Sequence, residues 1–365
     1  MKWLKRLVLV FVLCIILPLT AIAAIEGAAS AGLLMDSLRD RGSPGNFRLA
    51  AYDSLMGWVG IPNMARADHF GPGLGISTNA AGMRIHRPVT TLLPGQQRLI
   101  CSGDSFTYGS GAGDSDTFCA QLENQFPNLR TLNMAQPGYG IDQAYLWYKR
   151  DAAQFPHQVH LFAFIWHDFE RMALTEFWDY PKPKLLLKNG ALEVTNVPVP
   201  QWSGPSRFTG AAALFEEVRV VQFLRERVNI TDSMKLAQVD AQVWDIAEAV
   251  FLDLEKVNKA NGSKLVLAYL PAPPDLTPGA YDHRRERMVA FSKKSGIPFV
   301  DLVPAVRNVP SDSLDWMFIT ANGIPLKGSS GHYTRMGHEW AAKQLAMHLR
   351  ELKVLGDAVV TGTQP

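Results

Sequence analysis

The sequence predicts an α/β fold, a three-layer α/β/α sandwich with a central parallel sheet of five strands. Two observations carry this. Short apolar runs bounded by turn residues recur at 98–102, 130–134, 159–166, 264–270 and 299–303, as expected of strands buried on both faces. Between them lie segments with helical patterning at 116–125, 142–153, 211–228, 234–260, 282–294 and 335–352. Strand–helix alternation implies a parallel sheet with helices on both faces. The chain has 365 residues, 47% apolar and 19% charged, enough for one large core. A net charge of +2 does not point to a nucleic-acid partner, and a near-neutral body suits an uncharged substrate.

The chain divides into an N-terminal segment 1–25, a lead-in 26–95, a body 96–355 with an insertion at 169–210, and a flexible tail 356–365. Lys2, Lys5 and Arg6 precede an uncharged run at 7–25. As a helix it would be about 28 Å long, barely a bilayer. Pro18 divides the run, and Ala21-Ile22-Ala23 matches an A-x-A cleavage site. Residues 1–25 therefore read as a signal peptide or a membrane anchor, with cleavage and retention both open. Either way the positive residues stay inside and the body is exported, periplasmic or extracellular. A retained segment would make the membrane a partner.

The lead-in is rich in Gly, Ala, Pro and Asn and reads as short strands and turns packed on the outside of the sheet. It ends in Asn79-x-x-Gly82-x-Arg84. The strand at 98–102 then runs directly into Gly103-Asp104-Ser105. Glycine lets the chain turn there, so the Ser105 hydroxyl can face solvent. Gly138 follows the next strand and His167 the third. Ser105, Gly138 and His167 thus fall at the carboxyl ends of successive strands, along the sheet edge where open α/β folds place their chemistry. His332 stands just before the final helix. It could take the Ser105 proton and later return it to a leaving group.

The alternation breaks at 169–210, where five prolines exclude a long helix. Asn189-Gly190 between two strand-like runs predicts a hairpin with a type I′ turn. The insertion follows His167 directly and is expected to lean over the site. Trp166, Phe177, Trp178, Tyr180 and Trp202 cluster around it. They either line a sugar or acyl pocket or staple the hairpin to the body. Cys101 and Cys119 lie close enough in the pattern to meet, as a disulfide in an oxidising compartment or as two buried thiols. Cys14 falls too early in the apolar run for a lipoprotein cysteine. No spacing matches a zinc site around His157 and His160, and residues 109–113 do not match G-x-G-x-x-G. No metal or organic cofactor is implied.

With these residues in place, the chain resembles the GDSL/SGNH hydrolase family. Gly103-Asp104-Ser105 matches its nucleophile block and Gly138 its oxyanion-hole glycine. Residues 164–168 match its Asn-Asp block, with His167 in place of Asn, and His332 matches its catalytic histidine. The four blocks stand in family order over roughly residues 98–350. The resemblance implies a flavodoxin-like sandwich and a serine esterase or O-acyltransferase without cofactor. The family places an Asp two or three residues before the histidine; this chain has Ser329 and Ser330 there. Losing that carboxylate in a triad costs on the order of 10⁴ in rate. Asp312 or Asp315 are candidates to supply it, and a backbone carbonyl in a Ser–His dyad is the alternative.

The expected mechanism is attack of Ser105 on an ester carbonyl, with His332 as base. The oxyanion would be held by the Ser105 and Gly138 amides and by His167. The expected substrate is a small-molecule or carbohydrate ester, resolved by water in a hydrolase. Two alternatives share the fold: acetyl transfer to an exported polysaccharide, and a non-catalytic carbohydrate-binding or assembly protein.

Overall fold

Five apolar segments pair as parallel strands in the computed structural model of the chain: β1 (Gln97–Gly103), β2 (Leu129–Ala135), β3 (Val159–Phe164), β4 (Lys264–Tyr269) and β5 (Phe299–Asp301). Their order across the sheet is β2-β1-β3-β4-β5, the flavodoxin-like order, whose switch point lies between β1 and β3. Gly103 pairs with Ala135 across β1–β2, and Phe164 with Tyr269 across β3–β4. The carboxyl ends of these four strands therefore finish at one edge. All six residues of β3 are buried, because helices cover both faces of the sheet.

The structure describes residues 3, 5–6, 12–39, 50–177, 180–201, 233–279, 281–310, 314–320 and 329–355. They belong to two units, 1–41 with 203–236, and 42–202 with 237–365. In the first unit, α1 (Leu17–Arg39) follows a π turn at Val12–Ile16. This corrects the expectation of short strands and turns from residue 26. Its six alanines and five leucines favour helix over the glycines at 27 and 32. Among the described residues no helix is long and apolar enough to cross a membrane.

The second unit holds the sheet. A four-residue helix, α2 (Ser105–Tyr108), follows β1, and α3 (Phe118–Gln125) leads to β2. After β2 come α4 (Ile141–Asp151), β3 and α5 (Trp166–Met172). Then follow α6 (Ser233–Ala260), α7 (Asp282–Ser295), α8 (Val303–Arg307) and α9 (Arg335–Glu351). The helix expected at 211–228 lies outside the described residues, as does the tail at 356–365.

One face of the sheet carries α3 packed on α9. On the other face Phe251 of α6 stacks on Phe164 of β3, centroids 5.6 Å apart, and meets Phe291 of α7 at 5.8 Å. This face also buries a polar knot. The His160 ring lies flat on Tyr148 at 3.5 Å. Asn258 Nδ2 donates to His160 Nδ1, so the proton sits on Nε2 and is donated to Ser102 Oγ at 2.9 Å. Burial pushes the His160 pKa well down, and the ring is neutral. Cys101 and Cys119 are free, buried thiols, and burial beside Cys119 pushes Cys101 up.

The insertion forms the expected hairpin, Lys184–Lys188 paired with Ala191–Thr195. Asn189 and Gly190 take φ of 52° and 78°, the positive values a type I′ turn requires. The lead-in reaches the outer edge of the sheet, where Arg84 forms a β-bridge with Asn133 of the edge strand β2. It packs on the loops at the carboxyl ends of β1 and β2, where its strand pair Ala50–Asp53 and Gly57–Gly60 buries Trp58.

Candidate active site

The turn after β1 is shaped by close contact. A Cβ on Gly103 would stand 2.3 Å from the Ala163 carbonyl oxygen on β3, so only glycine fits. Asp104 then caps α2, its Oδ1 accepting from the Phe106 amide at 2.9 Å. Ser105 becomes the first residue of α2, with Oγ raised above the strand end. The final chain segment brings the histidine to it. Gly331 accepts a left-handed φ of 81° and Thr334 caps α9, its Oγ1 accepting from Gly337 N. Between them His332 Nε2 lies 2.7 Å from Ser105 Oγ. Phe106 packs against the imidazole, centroids 4.8 Å apart.

Burial holds the His332 pKa below its ordinary value, against Asp104 and the Ser329 and Ser330 carbonyls, which favour the charged ring. The imidazole is therefore neutral at neutral pH and can accept a proton. Its Nδ1 is buried, and among the described residues no side chain bonds to it. Ser329, at one position where a carboxylate was sought, is buried too, and its hydroxyl is without a partner. Asp315 does not supply the carboxylate: it is exposed and forms no hydrogen bond or ion pair with His332. It sits on a surface turn of the 314–320 segment. Asp312 lies outside the described residues.

The structure brings the other strand-end loops to the same edge. Gly138 adopts φ of 80° in the buried turn after β2. Among the described residues neither the Ser105 amide nor the Gly138 amide donates a hydrogen bond. Trp58 Nε1 donates to the Pro137 carbonyl, and the Tyr139 hydroxyl donates to the Trp58 carbonyl. The lead-in thus braces the glycine turn from both sides. His167 stands in the first turn of α5. Its ring lies against Trp166 at 3.3 Å, and Nδ1 is 3.5 Å from Glu170 Oε2. Nearly half of that side chain is exposed. The imidazole is held by its own helix rather than by Ser105, with Nε2 unengaged.

Four further residues shape the site: Arg171, which no motif marked, and Asp104, Asp168 and Arg84, whose motifs were visible but not their roles. Asp104 and Asp168 are buried, and Arg171 Nη1 reaches both, at 3.2 Å and 2.5 Å. Burial, then the neighbouring Asp104, pushes the Asp168 pKa well up. Arg84 is also buried, and it donates to the carbonyls of Tyr108, Gly109 and Ala112 and to Asp114 Oδ1. It straps the loop behind the nucleophile. The Asn79-x-x-Gly82-x-Arg84 segment was visible in the sequence; its purpose was not.

The aromatic residues divide. Tyr180 packs edge-on against Trp58, and Phe177 covers the Arg171 guanidinium at 4.9 Å. Tyr180 thus joins the insertion to the lead-in, and Phe177 packs the start of the insertion on itself. Trp166 stacks on Tyr281 at 4.1 Å. Trp178 and Trp202 lie outside the described residues. No group of three or more His, Cys, Asp or Glu side chains among the described residues could hold a metal ion.

No protein-family profile matches the chain. No curated protein matches it either. Among solved structures it is similar to TesA, at 13% identity over 70% of this chain and 99% of that one, with a TM-score of 0.41. It is similar to a catalytic mutant of Axe2, an acetylxylan esterase from Geobacillus stearothermophilus, at 12% identity over 74% and 100% of the two chains, with a TM-score of 0.40. A protein described as lipolytic and of the G-D-S-L family, from Desulfitobacterium hafniense DCB-2, is similar at 11% identity over 69% and 99%, with a TM-score of 0.38. Likeness at this level assigns no activity, which has to come from the chain's own geometry.

Proposed function

We propose that this protein is a serine ester hydrolase of the GDSL/SGNH type, working through a Ser105–His332 dyad and an acyl-enzyme. The observation that carries the proposal is the 2.7 Å contact between Ser105 Oγ and His332 Nε2 at the switch-point edge of the sheet. A hydroxyl needs a neutral base within this reach to become a nucleophile. The half-buried imidazole, its pKa lowered by desolvation, is such a base.

Ser105 Oγ attacks the ester carbonyl carbon as its proton passes to His332 Nε2. The carbonyl oxygen becomes an oxyanion and receives the unspent amide protons of Ser105 and Gly138. His167 Nε2 is a third donor when the ring turns toward the acyl group. One such donor is worth roughly 3–4 kcal/mol of transition-state stabilisation. Collapse of the tetrahedral intermediate breaks the bond to the alkoxide, which leaves with the proton from His332. Water then attacks the acyl carbon as His332 takes its proton, and collapse of this second intermediate breaks the bond to Ser105 Oγ, which regains the proton from His332 as the carboxylic acid leaves. Among the described residues no side-chain carboxylate meets Nδ1; the Ser329 and Ser330 carbonyls favour the imidazolium. Arg171 is already bound to two carboxylates, so the nucleophile's surroundings suit an uncharged ester, small or carbohydrate-borne.

Steady-state hydrolysis of p-nitrophenyl acetate tests this. Ser105→Ala should abolish turnover above background, and His332→Ala should lower kcat by about 10³ or more. Free acetate should appear without a sugar acceptor. Full activity in folded Ser105→Ala would refute the nucleophile assignment.

A further inference from the structure

Beneath Ser105 lies a buried charge cluster that the cycle above does not use. One nitrogen, Arg171 Nη1, contacts Asp104 Oδ2 at 3.2 Å, Asp168 Oδ1 at 2.5 Å and the Tyr139 carbonyl at 2.9 Å. The three partners sit on three chain segments: the nucleophile turn after β1, the glycine turn after β2, and α5 after β3. Asp168 spends its other oxygen on the Ile165 amide, and so fixes the start of α5. Packing leaves little slack, because a Cβ on Gly140 would stand 3.0 Å from Arg171 Cβ and 3.1 Å from the Asp168 carbonyl oxygen. With Phe177 above it, the Arg171 side chain is 12% exposed, and solvent screens its charge poorly.

The Ser105 hydroxyl has two acceptors within reach. His332 Nε2 is at 2.7 Å and Asp104 Oδ2 at 3.3 Å. The hydroxyl hydrogen can go fully to only one of them. Toward His332 it leads to a nucleophile with a base; toward Asp104 it leads to a capped helix and an idle serine. Arg171 is what occupies Asp104 Oδ2.

We propose that Arg171 is the positioning residue of this site. It engages Asp104 Oδ2 so that the Ser105 hydroxyl donates to His332 Nε2, and it ties the glycine turn and α5 to the nucleophile turn. This rests on the reading of Ser105 and His332 as the reacting pair. Charges from three elements bear on His332: Asp104 on the nucleophile turn raises its pKa, Arg171 on α5 lowers it, and His338 on α9 interacts with it.

The test is the rate of Ser105 labelling by a fluorophosphonate, with kcat and KM for p-nitrophenyl acetate, across pH. Arg171→Met should slow labelling by about 30-fold or more and lower kcat with KM nearly unchanged, since a small misplacement of reacting groups can cost about 10²-fold. Its acid limb should move to higher pH, because a cation beside the imidazole is gone. The acid limb of Asp104→Asn should move to lower pH, because an anion is gone. Arg171→Lys, whose ammonium can meet the same three oxygens, should label within about threefold of the wild type, on the scale of RT for retained contacts. A role confined to folding would not move the two limbs in opposite directions. Wild-type labelling by Arg171→Met, or limbs that move together or not at all, overturns the proposal. Should Arg171→Met fail to fold, a folded but slow Arg171→Lys, or an unmoved limb in Asp104→Asn, does so. If Ser105→Ala is fully active, the nucleophile reading fails instead; if Ser105→Ala is dead and Arg171→Met unaffected, only the present proposal fails.

Discussion

Arg84 places a guanidinium under the nucleophile loop, where three backbone carbonyls converge with no other donor facing them from the lead-in. The Gly109 carbonyl also accepts from the Ala112 amide and the Tyr108 carbonyl from Asn133 Nδ2, so removing Arg84 would leave the buried Ala112 carbonyl without its donor and Asp114 without its cation. Such an orphan costs about 1–3 kcal/mol. Arg84→Met should therefore destabilise the protein by about 1–3 kcal/mol in urea titration, and the surviving folded enzyme should turn over more slowly; unchanged stability would show that water satisfies that carbonyl. At this scale the sequence was uneven. Ser105 and His332 were legible because each lies in a short local pattern at an element boundary. The roles of Asp168 and Arg171 were not, since an Asp–Arg pair three apart on a helix looks like any solvated face. Only the chain's return through β1 and β2 gives that pair its partners. The carboxylate sought from Asp315 failed for the same reason: proximity to His332 in sequence did not turn the side chain inward.

Elements were read well where the hydrophobic pattern was continuous. The five strands and the helices α3, α4, α6, α7 and α9 fall within a few residues of the runs that predicted them, whereas the short helices α5 and α8, of seven and five residues, lie where no helix was expected. The hairpin at Asn189-Gly190 was legible because its turn needs those residue types. The short strands of the lead-in carry no periodicity to say which surface they cover. Helix α1 was not expected past residue 25 because the Gly, Ala, Pro and Asn content of the whole stretch 26–95 pointed to strands and turns. The insertion is pinned to α4 by an ion pair that no pattern announces. Lys182 and Asp142 side chains are fully buried and joined, with Lys182 Nζ also donating to the carbonyls of Arg171, Leu174 and Pro183. Lys182→Met would leave Asp142 buried without its cation. A loss of about 3–5 kcal/mol is expected in thermal or urea unfolding. Adding Asp142→Leu should restore most of it, since the pair's own net contribution is small; a double variant no better than the single would contradict this.

Across the whole molecule, neutral buried histidines make the fold sensitive to acid. His338 is buried against Phe118, its Nδ1 accepting from that residue's amide, and burial pushes its pKa down to about 3. His160 and His157 are also lowered by burial. The unfolded chain binds protons at these sites near pH 6.5 and the folded chain does not. Stability is therefore intact above that pH and falls as the pH drops below it, down to the folded-state pKa. Between pH 7.5 and 5.5, His338 alone should contribute a loss of about 1.4 kcal/mol. Asp168, Asp142 and Asp275 have raised pKa values and act in the opposite sense at lower pH. Comparison with His338→Asn isolates the term: the stability difference between the two proteins should change by that amount over the interval, and a constant difference would exclude it. The fold class was legible at this scale because it depends on strand and helix order, which the sequence displays directly.

The account depends most on Ser105 being activated by His332, and labelling kinetics measure this directly. A fluorophosphonate incubated with the full chain should modify Ser105 alone, as located by peptide mass spectrometry. His332→Ala should slow that reaction by about 10³ or more while leaving the protein folded. A label on another residue, or an undiminished rate in His332→Ala, would contradict it.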